Sequence, residues 1–369
     1  MGREKDLFII NERFSEYYSF IKESFEEYNY TLTGMGINPY RKYNNIPIPS
    51  ERYLMLYHHL KSYNNYEEVP IHFHKYPEYG MFSSSSQVQL DVEKKNLVKT
   101  INVFSKIEPI KGLLFSNSIL TDENNDLTCF RDILWEYSTH GVNPHNIGGY
   151  DVNFKDIDDL QAYLESLNIY CVMRDGAYIN FPSMNLLDYF GSEIVHGEFN
   201  YNSNYHKIDI KPNINDIKYL RPFKFINLTF RGTVEFRSIC TQPIRDTMCV
   251  SAFHLGLKDN LDDLNELIEN DDIIYHKGYT ANELRKLLIQ KDIPKTFNKK
   301  DLYKLSKEIV DLSYEGLSKR GIGEEIFLNP LYKRINDNTN PGKETLNSLE
   351  KGVEIEKIIS DYDKLDIST

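Results

Sequence analysis

The sequence predicts an α+β fold, with one domain built on an antiparallel sheet and a helical C-terminal third. Short segments in the first two thirds of the chain alternate polar and apolar residues, which is typical of strands with one solvated face. After residue 246, apolar residues recur at helical spacing. No internal repeat or Gly/Ser linker marks a domain border, so one packed α+β unit is the simplest account. We expect a single domain over residues 1–350 and a charged tail over residues 351–369.

The first third of the chain combines helical and extended segments. Apolar residues at helical spacing predict a helix over residues 12–28, and residues 31–38 are expected to form a short strand. Three prolines then indicate an extended loop, after which Ser50 is a suitable N-cap for a second helix. Residues 81–92 are expected to form a strand, and residues 93–116 a helix that Pro109 ends or kinks.

The middle of the chain contains a hairpin pattern. Helices are expected over residues 129–137 and 154–167, and a strand over residues 169–174 leads through Asp175-Gly176 into a second strand. A short helix follows over residues 186–190. Because residues 200–216 are rich in Asn, Tyr and Asp, we predict a long surface loop there.

The C-terminal third is expected to be helical over residues 246–257, 261–270, 280–290 and 299–319. Beyond about residue 340, the chain is charged and is expected to hold one helix and a loose end.

Composition excludes several classes of function. The chain has 369 residues and a formal net charge of −12, which disfavours nucleic-acid binding because no local basic groove is evident. No apolar run approaches the roughly 18 residues that a spanning helix needs, and the N-terminus lacks a secretory signal pattern. The four cysteines are scattered, which argues against a zinc site or a disulfide framework. We expect a cytoplasmic protein that acts on small molecules, with an oligomer possible.

The most informative stretch covers residues 221–238. Its end alternates, with Val234 and Phe236 on one face of a strand and Glu235 and Arg237 on the other. A carboxylate and a guanidinium side by side can hold a metal ion and a phosphate or carboxylate together. The same pair also fits an ordinary salt bridge on the solvated face of a sheet.

Two further patterns place polar groups on ordered elements. Gln87, Gln89 and Asp91 share one face of a strand, which suits either a solvated face or the wall of a hydrophilic cavity. Arg131 and Trp135 lie one helical turn apart, as a stacked surface pair or as part of a binding pocket. Neither a phosphate-binding glycine loop nor a dinucleotide fingerprint is present. These patterns predict a polar-faced sheet without specifying a reaction.

Five stretches, in the same order along the chain, resemble one enzyme family. They are Ile46–Tyr57 (Pro-x-x-Arg-Tyr), Ser84–Asp91 with Pro109–Ile119, Phe130–Trp135 (Arg-x-x-x-Trp), Gly232–Ser238 (Glu-x-Arg) and Gly316–Leu331. Together they resemble glutamate–cysteine ligases, also called gamma-glutamylcysteine synthetases, of the plant and bacterial type. The similarity covers roughly residues 30–350.

The resemblance implies both a fold and a reaction. The family's antiparallel sheet curves into a funnel, a catalytic fold like that of glutamine synthetase. ATP phosphorylates the γ-carboxylate of glutamate with Mg²⁺ as cofactor, and the amine of cysteine then displaces phosphate in a step of glutathione biosynthesis. Such phosphoryl transfer depends mainly on positioning and on cationic groups around the spreading negative charge.

The resemblance also assigns roles to six residues. It implies that Glu235 is a catalytic metal ligand and that Arg237 stabilises the transferred phosphoryl group and the glutamyl carboxylate. Arg131 corresponds to the clamp on the substrate glutamate. The remaining assignments are Trp135 and Gln89 for substrate binding, and Gln87 at a position where some relatives carry a metal-binding His.

One departure from the family pattern concerns the acidic strands that normally precede the first helix. Because the first helix resembles the segment that follows these strands in the family, we expect the strands, which supply most of the family's Mg²⁺ carboxylates, to be missing from this sequence. Two alternatives therefore accompany the ligase hypothesis. The first is a non-catalytic glutamate-binding paralogue that has lost the metal site, and the second is a related ligase with another amine acceptor.

Overall fold

A computed structural model describes residues 4–39, 46–62, 66, 73–121, 126–202, 204–229, 231–271 and 278–365. It contains antiparallel sheets and many helices, which confirms the mixed α and β composition that the sequence predicts. The helices are α1 (Leu7–Glu26), α2 (Glu51–Lys61), α3 (Leu97–Lys106), α4 (Glu108–Phe115), α5 (Phe130–Glu136), α6 (Ile157–Glu165), α7 (Leu186–Gly191), α8 (Met248–Asp259), α9 (Leu261–Glu269), α10 (Ala281–Leu288), α11 (Lys299–Ser318), α12 (Asn329–Asp337), α13 (Pro341–Glu350) and α14 (Ile355–Tyr362).

The strands form three sheets in the described part of the chain. They are β1 (Val88–Asp91), β2 (Ile147–Gly148), β3 (Asn168–Arg174), β4 (Ala177–Asn185), β5 (Val195–Tyr201), β6 (Asn204–Ile210), β7 (Phe223–Lys224), β8 (Ile226–Leu228) and β9 (Thr233–Phe236). One antiparallel sheet has the order β1-β9-β8, and a second has the order β3-β4-β5-β6. The third sheet is a short parallel pair formed by β2 and β7.

Local sequence explains several helix boundaries. The Asp6 carboxylate caps α1 by accepting a hydrogen bond from the Phe8 amide, so this helix begins before the predicted residue 12. Pro109 lies in the first turn of α4, where its missing amide hydrogen costs nothing, and the predicted break therefore falls at Ile107. Thr280 and Glu283 form a reciprocal capping box at the start of α10.

The main hydrophobic core lies between the three-stranded sheet and the C-terminal helices. Val88, Val234 and Phe236 point from that sheet into this core, which also contains Phe104 of α3 and Phe253 of α8, and the rings of Phe236 and Phe104 are in contact. The four-stranded sheet has a separate small core, which is completed by α7. The solvated face of the three-stranded sheet is consequently turned away from the main core.

Three expectations about local structure are wrong. Residues 200–216 contain the strand β6, which pairs with β5 along its whole length. Strand pairing uses backbone hydrogen bonds, so a polar edge strand gives little hydrophobic signal. Residues 31–38 form no strand, because Gly34 has a positive φ of 56° and only Ile37 makes an isolated bridge. The segment 81–92 is a strand only from Val88.

The end of the chain differs from the expected single helix. Beyond residue 340, both α13 and α14 are helical. Ile358, Ile359 and Tyr362 of α14 are buried against Met35. The division into a domain over residues 1–350 and a tail stays a prediction.

Candidate active site

A cavity of about 870 Å³ lies between the three-stranded and four-stranded sheets, with α2, α5 and α6 around it. All six residues to which the resemblance assigns roles line this cavity, namely Gln87, Gln89, Arg131, Trp135, Glu235 and Arg237, whereas Asp91 from the same strand face as Gln89 is not among the lining residues. They come from positions as far as 150 residues apart in the sequence. The fold therefore brings together the residues of three separate patterns.

A row of polar side chains crosses the three-stranded sheet at its centre. The register places Gln89 of β1 and Asn227 of β8 on either side of Glu235 of β9. The Gln89 Nε2 donates to the Glu235 Oε1 at 2.9 Å, and the Thr233 hydroxyl donates to the Gln89 Oε1 at 3.3 Å. The amide thus fixes the carboxylate on the cavity face of the sheet.

Arg237 follows the end of β9 and lies beside Glu235. One of its terminal nitrogens, Nη1, is 3.7 Å from the Glu235 Oε2, and its guanidinium lies over the Phe223 ring. Its Nε is buried and has no hydrogen-bond partner within the described ranges. Burial lowers the pKa of Arg237, and Arg131 nearby lowers it further, against the opposing effect of Glu235. This guanidinium therefore retains donors for an anionic ligand.

Arg131 is more firmly held than the sequence suggested. It is buried in α5, where Nη1 donates to the carbonyl of Ser238 at 3.3 Å and Nη2 to the carbonyl of Arg237 at 3.1 Å. Its guanidinium also lies over the Phe223 ring at 5.0 Å. These contacts fix the chain directly after β9, so Arg131 positions Arg237 as well as contributing charge to the cavity.

Trp135 and Gln87 complete the predicted set. The Trp135 ring stacks on Phe223 with centroids 4.0 Å apart, and its Nε1 donates to the Ser83 hydroxyl at 3.2 Å. Gly80 passes close to the ring, and an added Cβ there would be 3.3 Å from it. Gln87 precedes β1, is exposed, and donates to the Ser85 hydroxyl at 3.3 Å.

The arginines of the chain fall into two groups. Several pair with carboxylates away from the cavity, in the pairs Arg174–Asp216, Arg285–Asp132, Arg320–Glu324 and Arg334–Asp246. By contrast, the cavity-lining residues Arg52, Arg131 and Arg221 make no ion pair with a carboxylate of the described chain, and Arg237 is 3.7 Å from its single partner. Guanidinium groups without carboxylate partners leave a cavity that favours anions.

The sequence reasoning missed other basic residues that line the cavity. They are Arg52 of α2, together with Lys218, Arg221 and Arg231. Arg52 lies in the Pro-x-x-Arg-Tyr stretch that contributed to the family resemblance, so that motif could have identified it as a site residue. Arg221 lies at the start of the informative stretch 221–238, but no periodic pattern there distinguishes it. Only the tertiary structure brings these cations together in a protein with a net charge of −12.

The acidic groups of the cavity restrict how it can hold a metal. Within the described ranges, its carboxylates are Glu165 and Glu235, and no group of three or more His, Cys, Asp or Glu side chains is arranged to hold a metal ion. Mg²⁺ in nucleotide sites takes one or two carboxylates and fills its other positions with phosphate oxygens and water. Glu235, with the neighbouring amide oxygens, fits that kind of site and does not form a metal cage of its own.

Comparison with known proteins gives weak but consistent similarity to one enzyme. The chain is 22% identical over 344 residues to the chloroplastic glutamate–cysteine ligase of Solanum lycopersicum, and 21% identical over 340 residues to that of Medicago truncatula. It is 23% identical over 353 residues to the chloroplastic glutamate–cysteine ligase A of Oryza sativa subsp. indica. No protein-family model matches the chain.

The extent of these matches is asymmetric. They cover 88–89% of this chain but only 59%, 60% and 63% of the three relatives. The similarity supports the family resemblance that the motifs indicate, at an identity too low to assign the subtype. Within the described ranges, every helix is too short or too polar to cross a membrane.

Proposed function

We propose that the protein is an ATP-dependent carboxylate–amine ligase that joins the γ-carboxylate of glutamate to the amine of cysteine. The observation that carries this proposal is the arginine-rich cavity in which all six predicted residues meet. The similarity to plant glutamate–cysteine ligases over most of the chain supports the same reaction. The proposal includes the funnel-shaped sheet of that family, a place in glutathione biosynthesis, and glutamate and cysteine as substrates.

The proposed reaction has two steps that balance. A γ-carboxylate oxygen of glutamate attacks the terminal phosphorus of ATP, which forms γ-glutamyl phosphate and releases ADP. The cysteine nitrogen then attacks the acyl carbon, forms the amide and releases phosphate and a proton. Arg237, whose Nε has no hydrogen-bond partner among the described residues, would stabilise the transferred phosphoryl group, and Trp135 would line the substrate pocket.

The proposed cofactor is Mg²⁺, with Glu235 as its carboxylate ligand and Gln87 and Gln89 nearby to hold its water shell. When bound, the ion would neutralise charge on the ATP phosphates. The Glu235 carboxylate already accepts a hydrogen bond from Gln89, which leaves further lone pairs for coordination.

We propose that the protein acts in the cytoplasm. Its four buried cysteines are unpaired, which fits a reducing compartment, whereas the named relatives are chloroplastic.

Turnover tests this function directly. With ATP, Mg²⁺, glutamate and cysteine, we expect phosphate release that falls about 100-fold or more in Arg237→Ala, because one transition-state donor contributes on that scale. Arg245→Ala is the matched control, since Arg245 lies outside the cavity and faces Asp246 at 3.9 Å. Phosphate release at background level in the unchanged protein, and no different in Arg237→Ala, would contradict ligation. Replacing cysteine by other amines tests the alternative of a related ligase with a different acceptor.

A second candidate function is glutamate binding without catalysis. The specific observation in its favour is the small number of carboxylates, since Glu165 and Glu235 are those that line the cavity among the described residues. Calorimetry would then show glutamate binding that is lost in Arg131→Ala and is unaffected by ATP and Mg²⁺. Tight binding of ATP with Mg²⁺ would count against this candidate.

A further inference from the structure

Arg221 forms a basic wall of the cavity that is separate from the β9 wall. In the sequence it lies between the helical turn Ile214–Tyr219 and β7, and its side chain contacts Tyr178 of β4. The β9 wall, by contrast, carries Arg237 and the Arg131 that anchors it. Arg221 contacts the four-stranded sheet through Tyr178, whereas Arg237 directly follows β9 of the three-stranded sheet, and both residues line the same cavity.

Two tyrosines and the buried Cys171 thiol contact the Arg221 guanidinium, and no carboxylate of the described chain pairs with it. Its Nη2 donates to the Tyr178 hydroxyl at 3.3 Å, and its guanidinium carbon is 5.8 Å and 5.9 Å from the ring centroids of Tyr178 and Tyr219. Its Nε is buried and lacks a hydrogen-bond partner in the described part of the chain. Aromatic rings fix the direction of a guanidinium without neutralising it.

The unpartnered Arg221 Nε–H destabilises the free protein but can donate to a bound ligand. A buried N–H without a partner destabilises the protein, whereas a bound oxyanion would satisfy it and the adjacent charge. Elsewhere, the chain meets this need with carboxylates, as in the bidentate contact of Arg174 with Asp216. Within the described ranges, Arg221 lacks such a carboxylate partner although it lines the cavity.

We propose that Arg221 binds an oxyanion of the ligand that is distinct from the anion held at the Arg237 wall. The proposal rests on the proposed ligase function and adds a specificity-determining residue to it. The ligand group is a carboxylate or phosphate oxygen. In the ligase reaction it would belong either to the carboxylate of the amine acceptor or to the polyphosphate of the nucleotide. The bound ligands together therefore carry anionic groups at both walls of the cavity.

Calorimetry on the full chain distinguishes these two sources. Arg221→Gln removes the charge, Arg221→Lys keeps the charge but not the planar fork, and Arg245→Gln is a control arginine outside the cavity. The probes are inorganic tripolyphosphate, cysteine, and cysteamine, which is cysteine without its carboxylate. Circular dichroism and the unfolding midpoint establish that each variant is folded.

If the phosphate is the ligand group, tripolyphosphate affinity falls about tenfold or more in Arg221→Gln, with a smaller loss in Arg221→Lys and none in the control. If the acceptor carboxylate is the group, the preference for cysteine over cysteamine falls by a similar factor in Arg221→Gln. Affinities within about twofold for all three probes in folded Arg221→Gln would overturn the proposal. Because these are binding measurements, they remain decisive even if the unchanged protein releases no phosphate and the ligase function fails.

Discussion

At the scale of single residues, the hydrogen-bond acceptors around each arginine distinguish a structural role from a functional one. Arg285 is buried and donates to the carboxylates of Asp132 and Glu108 as well as to the carbonyl of Ser238. Arg131 is equally buried and also donates to the carbonyl of Ser238, but it makes no ion pair with a carboxylate of the described chain and so keeps its charge beside the cavity. The residue type alone does not reveal this difference, because it depends on which acceptor the fold places opposite each guanidinium.

His140 gives a prediction about pH. It is buried beside Trp135 and Tyr170, and burial together with the charge of Arg237 lowers its pKa to about 3. In the unfolded chain its pKa returns to about 6.5, so between these values the unfolded state binds more protons. The free energy of unfolding should therefore decrease as the pH falls from about 6.5 towards 3. This residue contributes up to about 1.4 kcal/mol per pH unit to that decrease.

Urea unfolding at several pH values between 7 and 4 tests this effect. In His140→Gln we expect a shallower decrease than in the unchanged protein, since glutamine does not titrate. His206→Gln, at an exposed position of β6, serves as the control and should follow the unchanged protein. Identical pH slopes for the unchanged protein and His140→Gln would show that His140 is not held neutral by the fold.

At the scale of elements, the helices α8 and α11 of the main core approach each other closely. Gly256 and Gly316 face each other across this contact. A Cβ on Gly256 would overlap the backbone oxygen of Ser313, and one on Gly316 would overlap the backbone oxygen of Gly256. Backbone atoms in packed helices cannot move aside as flexible side chains do. The spacing of the two helices therefore requires glycine at both positions.

We expect Gly256→Ala and Gly316→Ala each to lower the free energy of unfolding by about 3 kcal/mol or more, at the upper end of overpacking effects. Gly191→Ala is the matched control, because a Cβ at Gly191 would meet no atom within 4 Å. That control should change stability by less than about 0.5 kcal/mol. Chemical denaturation measures all three variants, and equal stability of Gly256→Ala and Gly191→Ala would rule out the close approach.

At the scale of the whole molecule, the C-terminal segment connects distant parts of the chain. The Tyr362 hydroxyl donates to the carbonyl of Pro341 at 2.8 Å, and Tyr18 of α1 donates to Asp363. The Tyr362 backbone also lies against Gly34, where an added Cβ would be 3.1 Å from the Tyr362 oxygen. Residues from both ends of the sequence thus meet in one cluster.

Removing residues 351–369 should consequently destabilise the protein. Deletion takes away Ile358, Ile359 and Tyr362, and a buried side chain of this size contributes about 1.5–3 kcal/mol. We expect the unfolding midpoint in urea to fall clearly for the deletion and for Ile358→Ala, but not for Lys357→Ala on the exposed face of the same helix. An unchanged midpoint after deletion would support the prediction of a separate charged tail.

The sequence by itself predicted the four helices that follow residue 246, the central hairpin and six of the residues that line the cavity. Periodicity located α8, α9, α10 and α11, because a helix that buries one face must repeat its apolar residues. Asp175-Gly176 predicted the β3–β4 turn, since few residues tolerate the positive φ that both adopt there. Alternation placed Glu235 on the face opposite Val234 and Phe236.

Only the tertiary structure decided which charges meet. The strand β6 escaped prediction because backbone pairing leaves little trace in a polar edge sequence. Arg221 and Arg52 join Arg131 and Arg237 around one cavity although they lie on separate elements with no shared period. Local patterns encode the face on which a side chain lies, whereas the distance between faces of different elements depends on how the whole chain packs.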